Sequence, residues 1–228
     1  RNRRTALIDA GAAAVISISG EQFDFPIYRR AFLSRPTSWA ARDKRADIEG
    51  AVSPQYMVAL VTAAGGDWDK LRAAARSVDY AGQSLGLTVD LDVQSEVERI
   101  SSNNIIGKIA GRKPGSGAVV FMGHWDHFGI CRPEGEEDRI CNGAVDNASG
   151  MAVLTEVAKR LGKAKLDRDI YFVGTTAEES GLLGARAFAA DPAVPLDQIK
   201  IVLNVDTVAI APRGAKVAII GRGKTGLD

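Results

Sequence analysis

Residues 117–129 read GAVVFMGHWDHFG. The run from Ala118 to Met122 is wholly apolar and closed by Gly123, so it reads as a central strand buried on both faces. Strands of that kind belong to parallel or mixed sheets covered by helices. The polar residues that follow at once, His124, Asp126 and His127, then fall at the carboxyl end of the strand. Ligands bind outside those ends in open α/β sheets. The 228 residues contain two histidines, and both are in this stretch. They are either packing residues at a strand end or the beginning of a metal site completed from further along the chain.

Working outward, the same pattern recurs. "NNIIGKIAG" (103–111) reads as a strand, and "ASGMAVLTEVAKRLGKA" (148–164) as a helix with Met151, Leu154, Val157, Ala158 and Leu161 on one face. "DRDIYFVGTTAEE" (167–179) holds another buried strand, followed by helical "GLLGARAFAADP" (181–192). "QIKIVLNVDTVAI" (198–210) is a third apolar strand, and "AKVAII" (215–220) reads as one more. Strands alternating with helices predict an α/β fold whose central sheet is mostly parallel or mixed. This domain spans residues 97–228.

Residues 1–96 differ in character and form a smaller first domain. "TALIDAGAAAVISI" (5–18) reads as a helix running into a strand. Ser53 before Pro54 is an N-cap followed by proline at the first helical position. Tyr56, Val58, Leu60 and Val61 supply that helix's apolar pattern, and Gly65-Gly66 ends it. Asp67 caps a further helix in which Leu71, Ala74 and Ala75 share a face. "LTVDLDVQSEVERIS" (87–101) alternates apolar and polar residues and reads as a strand. Nothing here has the composition of a catalytic or metal-binding constellation.

A hydrophobic content of 46% and a charged content of 25% describe an ordinary globular chain able to bury a core. A formal net charge of +1 gives no reason to propose nucleic acid or a membrane surface as partner. No apolar run is long enough to span a bilayer. The chain opens without Met and closes where an α/β sheet would not be expected to finish, so a fragment is expected. Cys131 and Cys141 flank a polar loop; they pair or remain free thiols, with metal ligation a less favoured alternative because the spacing is not that of a compact zinc knuckle.

The acids carry the chemistry. Asp146 and Asn147 precede the helix beginning at Ala148, Glu178 and Glu179 follow one strand, and Asp206 follows another. Each of them is a capping or solvated acid when considered alone. Four segments delivering an imidazole and several acids to one edge of one sheet point instead to a metal site. Histidine nitrogen with carboxylate oxygen is an ordinary zinc ligand set. His124 and Asp126, two apart, face the same side of an extended segment, so Asp126 is expected to accept a hydrogen bond from the free N–H of His124. Adjacent glutamates face different ways, which suits one as a metal ligand and the other as a general base.

"GHWDH", "NGAVDNASG", "TTAEESGLLGARAF" and "LNVD" together resemble the co-catalytic di-zinc aminopeptidases of the bacterial leucyl-aminopeptidase type. The first region, through "AGAAAVISI" and "IEGAVSPQYMVALVTAAGG", resembles the protease-associated domain often inserted in these enzymes. The resemblance implies a zinc-exopeptidase-like fold and two zinc ions in the complete enzyme. It makes Asp146 the ligand shared by both metals, His124 and Asp206 ligands of the first, and Glu179 a ligand of the second. Glu178 becomes the general base, Asp126 the residue behind His124, and the Asp146–Asn147 peptide is expected to be cis. His127 receives a structural or pocket-lining role. The family supplies a further histidine to the second zinc from a later loop. None follows His127 here, so this chain is expected to hold the second zinc poorly and to show little activity. The implied substrate is a peptide, cleaved at its amino-terminal residue. Two alternatives stand beside that reading: a carboxypeptidase of the glutamate-releasing type, and a non-catalytic receptor-like relative. Resemblance also implies a periplasmic or secreted parent protein.

Overall fold

A computed structural model describes residues 3–20, 25–29, 37–39 and 43–208, together with residues 212 and 214. It divides the chain into two compact units, Arg1–Ser101 and Ser102–Asp228. The expected strand at 215–220 lies outside the described residues.

In the first unit, α1 (Arg3–Asp9) leads into β1 (Ala14–Ile18), the short α2 (Phe25–Tyr28) follows, and β2 (Ile48–Val52) pairs with β1 in parallel. β2 was not anticipated, because its five residues contain Glu49 and Gly50 and lack the alternation of a half-buried strand. Then come α3 (Pro54–Ala63) and α4 (Trp68–Ala74). Both caps form as expected. The Ser53 hydroxyl accepts from the Tyr56 N–H at 3.1 Å, and the Asp67 carboxylate accepts from the Lys70 N–H at 3.0 Å. The expected face of α3 is displaced, however. Tyr56 and Val58 are exposed, and the inward side is Met57, Leu60 and Val61, the i, i+3, i+4 set.

The expected strand over 87–101 does not form. An alternating pattern describes a face, and a strand also needs a ladder partner. No described segment pairs with these residues, and Val89 and Val93 are 63% and 56% exposed.

The second unit is a mixed sheet with strand order β3-β7-β4-β8, formed by β3 (Ile105–Ile109), β4 (Ala118–His124), β7 (Asp169–Thr175) and β8 (Ile199–Asn204). β4 runs parallel to both β7 and β8, and β3 is an antiparallel edge. Between them lie the two-residue strands β5 (Gly129–Ile130) and β6 (Ile140–Cys141), which pair antiparallel. Cys131 and Cys141 form a disulfide across this hairpin, with Cα atoms 5.8 Å apart. α5 (Gly150–Leu161) connects to β7, and α6 (Leu183–Ala190) leads on to β8.

Helices cover both faces of the sheet. On one face Ala118, Val120, Tyr171 and Val173 pack with Phe188 of α6 and with Val194. Burying a side chain such as Val120 or Val173 stabilises by roughly 1.5–3 kcal/mol. On the other face Leu154 of α5 packs over Gly123, and Met151 over Gly174. These two glycines are paired across β4 and β7. A Cβ on either would sit 3.1–3.2 Å from those side chains, so their bareness lets α5 approach closely. No helix among the described residues is long and apolar enough to cross a membrane.

Candidate metal centre

Because β4, β7 and β8 are parallel, their carboxyl ends open onto one edge. His124 ends β4, opposite Thr175 at the end of β7. Glu178 and Glu179 follow Thr175 by three and four positions, and Asp206 follows Asn204, the last residue of β8, by two. Asp146 arrives from a kinked turn, Ala144–Ser149, that precedes α5 and in which Asp146 and Asn147 have non-helical backbone angles. The regular helix therefore starts at Gly150, two residues later than expected. The Asp146–Asn147 peptide is cis.

The structure brings His124, Asp146 and Asp206 together. His124 Nε2 lies 3.0 Å from Asp146 Oδ1, 3.4 Å from Asp206 Oδ1 and 3.9 Å from Glu178 Oε2. One ligand atom from each of His124, Asp146 and Asp206 falls within 4.8 Å of the others. The His124 side chain is only 3% exposed. On its far side Nδ1 lies 3.0 Å from the backbone carbonyl of Asp126. A carbonyl only accepts, so Nδ1 carries the hydrogen, and in the neutral ring Nε2 is left as a lone pair. His124 Nε2 and Asp146 Oδ1 are both shielded from water and have no hydrogen-bond partner among the described residues. Two buried acceptors facing each other are costly unless a cation lies between them. Nitrogen and carboxylate oxygen are the donors zinc takes, so these residues fit that metal.

Asp126 is placed differently from expectation. Its backbone carbonyl, not its side chain, meets the His124 N–H; the carboxylate is 3.7 Å from Nδ1. The carboxylate instead accepts from the Glu178 N–H at 3.0 Å and the Glu179 N–H at 3.3 Å, one to each oxygen. It fixes the double-glutamate segment. Ala177, just before, has φ 50°, a left-handed conformation a non-glycine residue rarely adopts. The two glutamates then diverge: Glu178 approaches His124, while Glu179 Oε1 lies 2.5 Å from His127 Nδ1.

Two asparagines missed in the sequence hold the loops in place. Buried Asn147 donates from Nδ2 to the Val205 carbonyl at 3.0 Å. Its Oδ1 accepts from the Gly150 N–H at 3.1 Å and the Thr207 N–H at 3.3 Å. The segment carrying Asp206 is thereby tied to the segment carrying Asp146. Asn104 performs a parallel task after β7, accepting from the Thr176 N–H at 3.1 Å and donating to the Gly184 carbonyl at 2.8 Å. Asn147 had a signal, an amide directly beside a candidate ligand; Asn104 had none.

Charge crowding shows in the proton affinities. Burial raises Glu178 above the usual carboxylate range; His124 opposes, and Asp206, Asp126 and Asp146 add to the rise. Burial and Asp146 raise Glu179 likewise, against His127. For His124 burial acts downward, but the Asp126 carbonyl and the Glu178, Asp206 and Asp126 carboxylates outweigh it, and the net shift is upward. The site is a concentration of negative charge that favours cations, protons included.

The sequence profile of Peptidase family M28 matches residues 104–227, more than half of the chain. This chain belongs to peptidase family M28. Its M28 segment contains every residue of the edge just described. A probable zinc metalloprotease from Pyrenophora tritici-repentis is 30% identical over 66% of this chain and 32% of its own length. A probable leucine aminopeptidase 2 from Aspergillus oryzae is 29% identical over 60% of this chain and 25% of its own length. The M28 chain thus spans about a third or less of these curated relatives. Among solved structures, BSAP, a zinc aminopeptidase from Bacillus subtilis, is similar at 29% identity and a TM-score of 0.40, covering 46% of this chain and 24% of that one.

Proposed function

We propose that the whole protein is a zinc-dependent exopeptidase that removes amino-terminal residues from peptides. The observation that carries this reading is the pair of buried, unpartnered acceptors, His124 Nε2 and Asp146 Oδ1, set 3.0 Å apart beside Asp206 and Glu178. In this reading His124, Asp146 and Asp206 hold one zinc, with Glu179 on the far side of Asp146 for a second. Zinc in such a site polarises a carbonyl and makes water acidic near neutral pH.

The chain's own residues do the rest. Glu178 is the general base, since its carboxylate reaches the rim of the His124 cage and its raised proton affinity suits taking and returning a proton. Asp126 is a positioning residue, because it grips the backbone of both glutamates. The Asp126 carbonyl holds the His124 tautomer that presents Nε2.

For the first unit we retain a protease-associated module. Its parallel β1–β2 pair and an apolar groove of about 370 Å³, lined by Ile18, Met57, Val61, Trp68, Leu71 and Leu85 among others, suit a packing or binding role. Export of the parent protein is supported by the Cys131–Cys141 disulfide, a bond that persists in oxidising compartments.

The test is Glu178→Gln in the full-length protein. Turnover of an unblocked peptide should fall by about 10²–10⁴-fold with zinc content unchanged. Persistence of turnover would assign the base elsewhere. Release of carboxy-terminal residues from an amino-blocked peptide would favour the carboxypeptidase alternative.

A further inference from the structure

His124 and Asp146 stand on the two feet of one loop. His124 ends β4, and the chain then runs out through the β5–β6 hairpin and returns through Gly143 to Asp146. The Cys131–Cys141 bond closes that excursion. Cys131 follows His124 by seven positions, and Cys141 precedes Asp146 by five. The bond therefore ties together the two segments that set His124 Nε2 and Asp146 Oδ1 3.0 Å apart.

Little else holds the hairpin shut. Its ladder has two residue pairs, Gly129 with Cys141 and Ile130 with Ile140. The Cys131 N–H donates to the Arg139 carbonyl at 3.0 Å, and the Arg132–Asp138 ion pair, at 3.5 Å, is exposed. Ile130 and Ile140 are 70% and 57% exposed, so the hairpin buries no apolar face. A two-stranded hairpin of that kind is marginal in water. The sheet does not depend on it, because the core residues Val120, Tyr171, Val173 and Phe188 belong to β4, β7 and α6.

Movement of Cys141 is passed inward by short contacts. The Asn142 side chain accepts from the Ala144 N–H at 2.9 Å, and the Gly143 carbonyl accepts from the Ala148 N–H at 2.9 Å. Gly143, with φ 67°, lies against His127, where a Cβ would come within 2.7 Å of His127 Cβ. The turn that carries Asp146 is thus seated on the residues next to the disulfide. Both cysteines are half-buried and within reach of a reductant.

We propose that Cys131–Cys141 is a redox switch on the metal centre: oxidation fixes the Asp146 turn for zinc, and reduction relaxes it and weakens zinc binding while the sheet stays folded. This rests on the reading of His124, Asp146 and Asp206 as a zinc site. In the oxidising direction the two thiols pass two electrons and two protons to the disulfide of a thiol–disulfide oxidoreductase. The S–S bond forms between Cys131 and Cys141, and the oxidoreductase leaves as a dithiol; the reducing direction is the reverse. A protein built this way loads its metal in an oxidising compartment and not in a reducing one.

The test measures zinc affinity of the full-length protein by competition with a chromogenic chelator, before and after reduction with a water-soluble phosphine. Far-UV circular dichroism follows the fold in the same samples. Reduction should weaken zinc binding by about 10–100-fold, the range for removing the support behind a metal ligand, with the far-UV spectrum unchanged. A Cys131→Ser/Cys141→Ser variant, which lacks both thiols as competing ligands, should bind zinc as weakly. Reduced protein and variant that hold zinc as tightly as the oxidised protein would overturn the inference and leave the zinc site standing. Loss of the far-UV signal on reduction would overturn it too, because the bond would then be holding the fold and not the turn. Absence of zinc binding in the oxidised protein would sink the reading of the site itself. The wild-type comparison needs no substitution, so a poorly folding variant does not blunt the result.

Discussion

At the level of single residues, the molecule separates groups that face the cation positions from groups that hold them there. His124 and Asp146 present bare, buried acceptors to each other, and Asp126 and Asn147 direct their side-chain hydrogen bonds to backbone. Asn147→Ala should therefore cost about 1–3 kcal/mol in urea unfolding, because the Val205 carbonyl and the Gly150 and Thr207 N–H groups lose their partner. Zinc affinity should fall with it, since Asp206 lies between two of the tethered residues. A variant as stable as wild type with unchanged zinc binding would mean that other contacts align the loop. Residue identity made part of this legible. Histidine, aspartate and paired glutamates at strand ends are visible as potential donors. The target of a carboxylate is not, because Asp126 could reach either its neighbouring imidazole or backbone amides some fifty positions away, and only the fold decides. The partner of His127 was hidden for the same reason: Glu179 is 52 residues distant.

At the level of elements, the sheet is what makes the edge chemical. β4 has β7 and β8 as parallel neighbours, so three strand ends emerge side by side. The antiparallel edge strand β3 is fastened to β7 by Asp169. Its Oδ2 pairs with Lys108 Nζ at 2.7 Å, and its Oδ1 accepts from the Gly111 N–H at 2.8 Å. The Lys108 hydrogen bond, then the Gly111 amide, hold the Asp169 carboxyl below its ordinary value of 3.8. A carboxylate with a depressed folded-state pKa contributes stability that is present above the unfolded value and is lost as pH falls through the folded one. Asp169→Asn keeps an acceptor for Gly111 and loses the charge. The variant should be slightly less stable than wild type at about pH 7, by an amount typical of exposed pairs, and the gap should close as the acid limit is approached and the Asp169 carboxyl takes up its proton. A gap that does not change with pH would show that the ion pair contributes nothing. Apolar runs such as 118–122 and 170–173 disclosed their strands because burial in the sheet leaves few other uses for them. The stretch 87–101 misled because alternation marks a possible face, and no local rule says whether a partner strand exists. The late start of α5 escaped notice because the kinked turn before it has no composition distinct from a helix N-terminus.

At the level of the whole molecule, two units share one chain, and among the described residues the candidate ligand clusters lie in one of them. The first unit has its own parallel strand pair, capped helices and groove. The second carries the M28 match and every candidate ligand. Family membership and fold class were legible because four short motifs at fixed order encode loop geometry as well as ligands. The first unit's architecture was less so, since its elements are short and mixed in polarity.

The central claim is that the carboxyl edge of this sheet is a metal site built on His124, Asp146 and Asp206. Diffraction from crystals of the zinc-loaded protein, recorded on both sides of the zinc absorption edge, tests it most directly. The account predicts an anomalous peak bonded to His124 Nε2 and to one oxygen each of Asp146 and Asp206. Zinc-loaded crystals with those side chains ordered and no anomalous peak among them would contradict it.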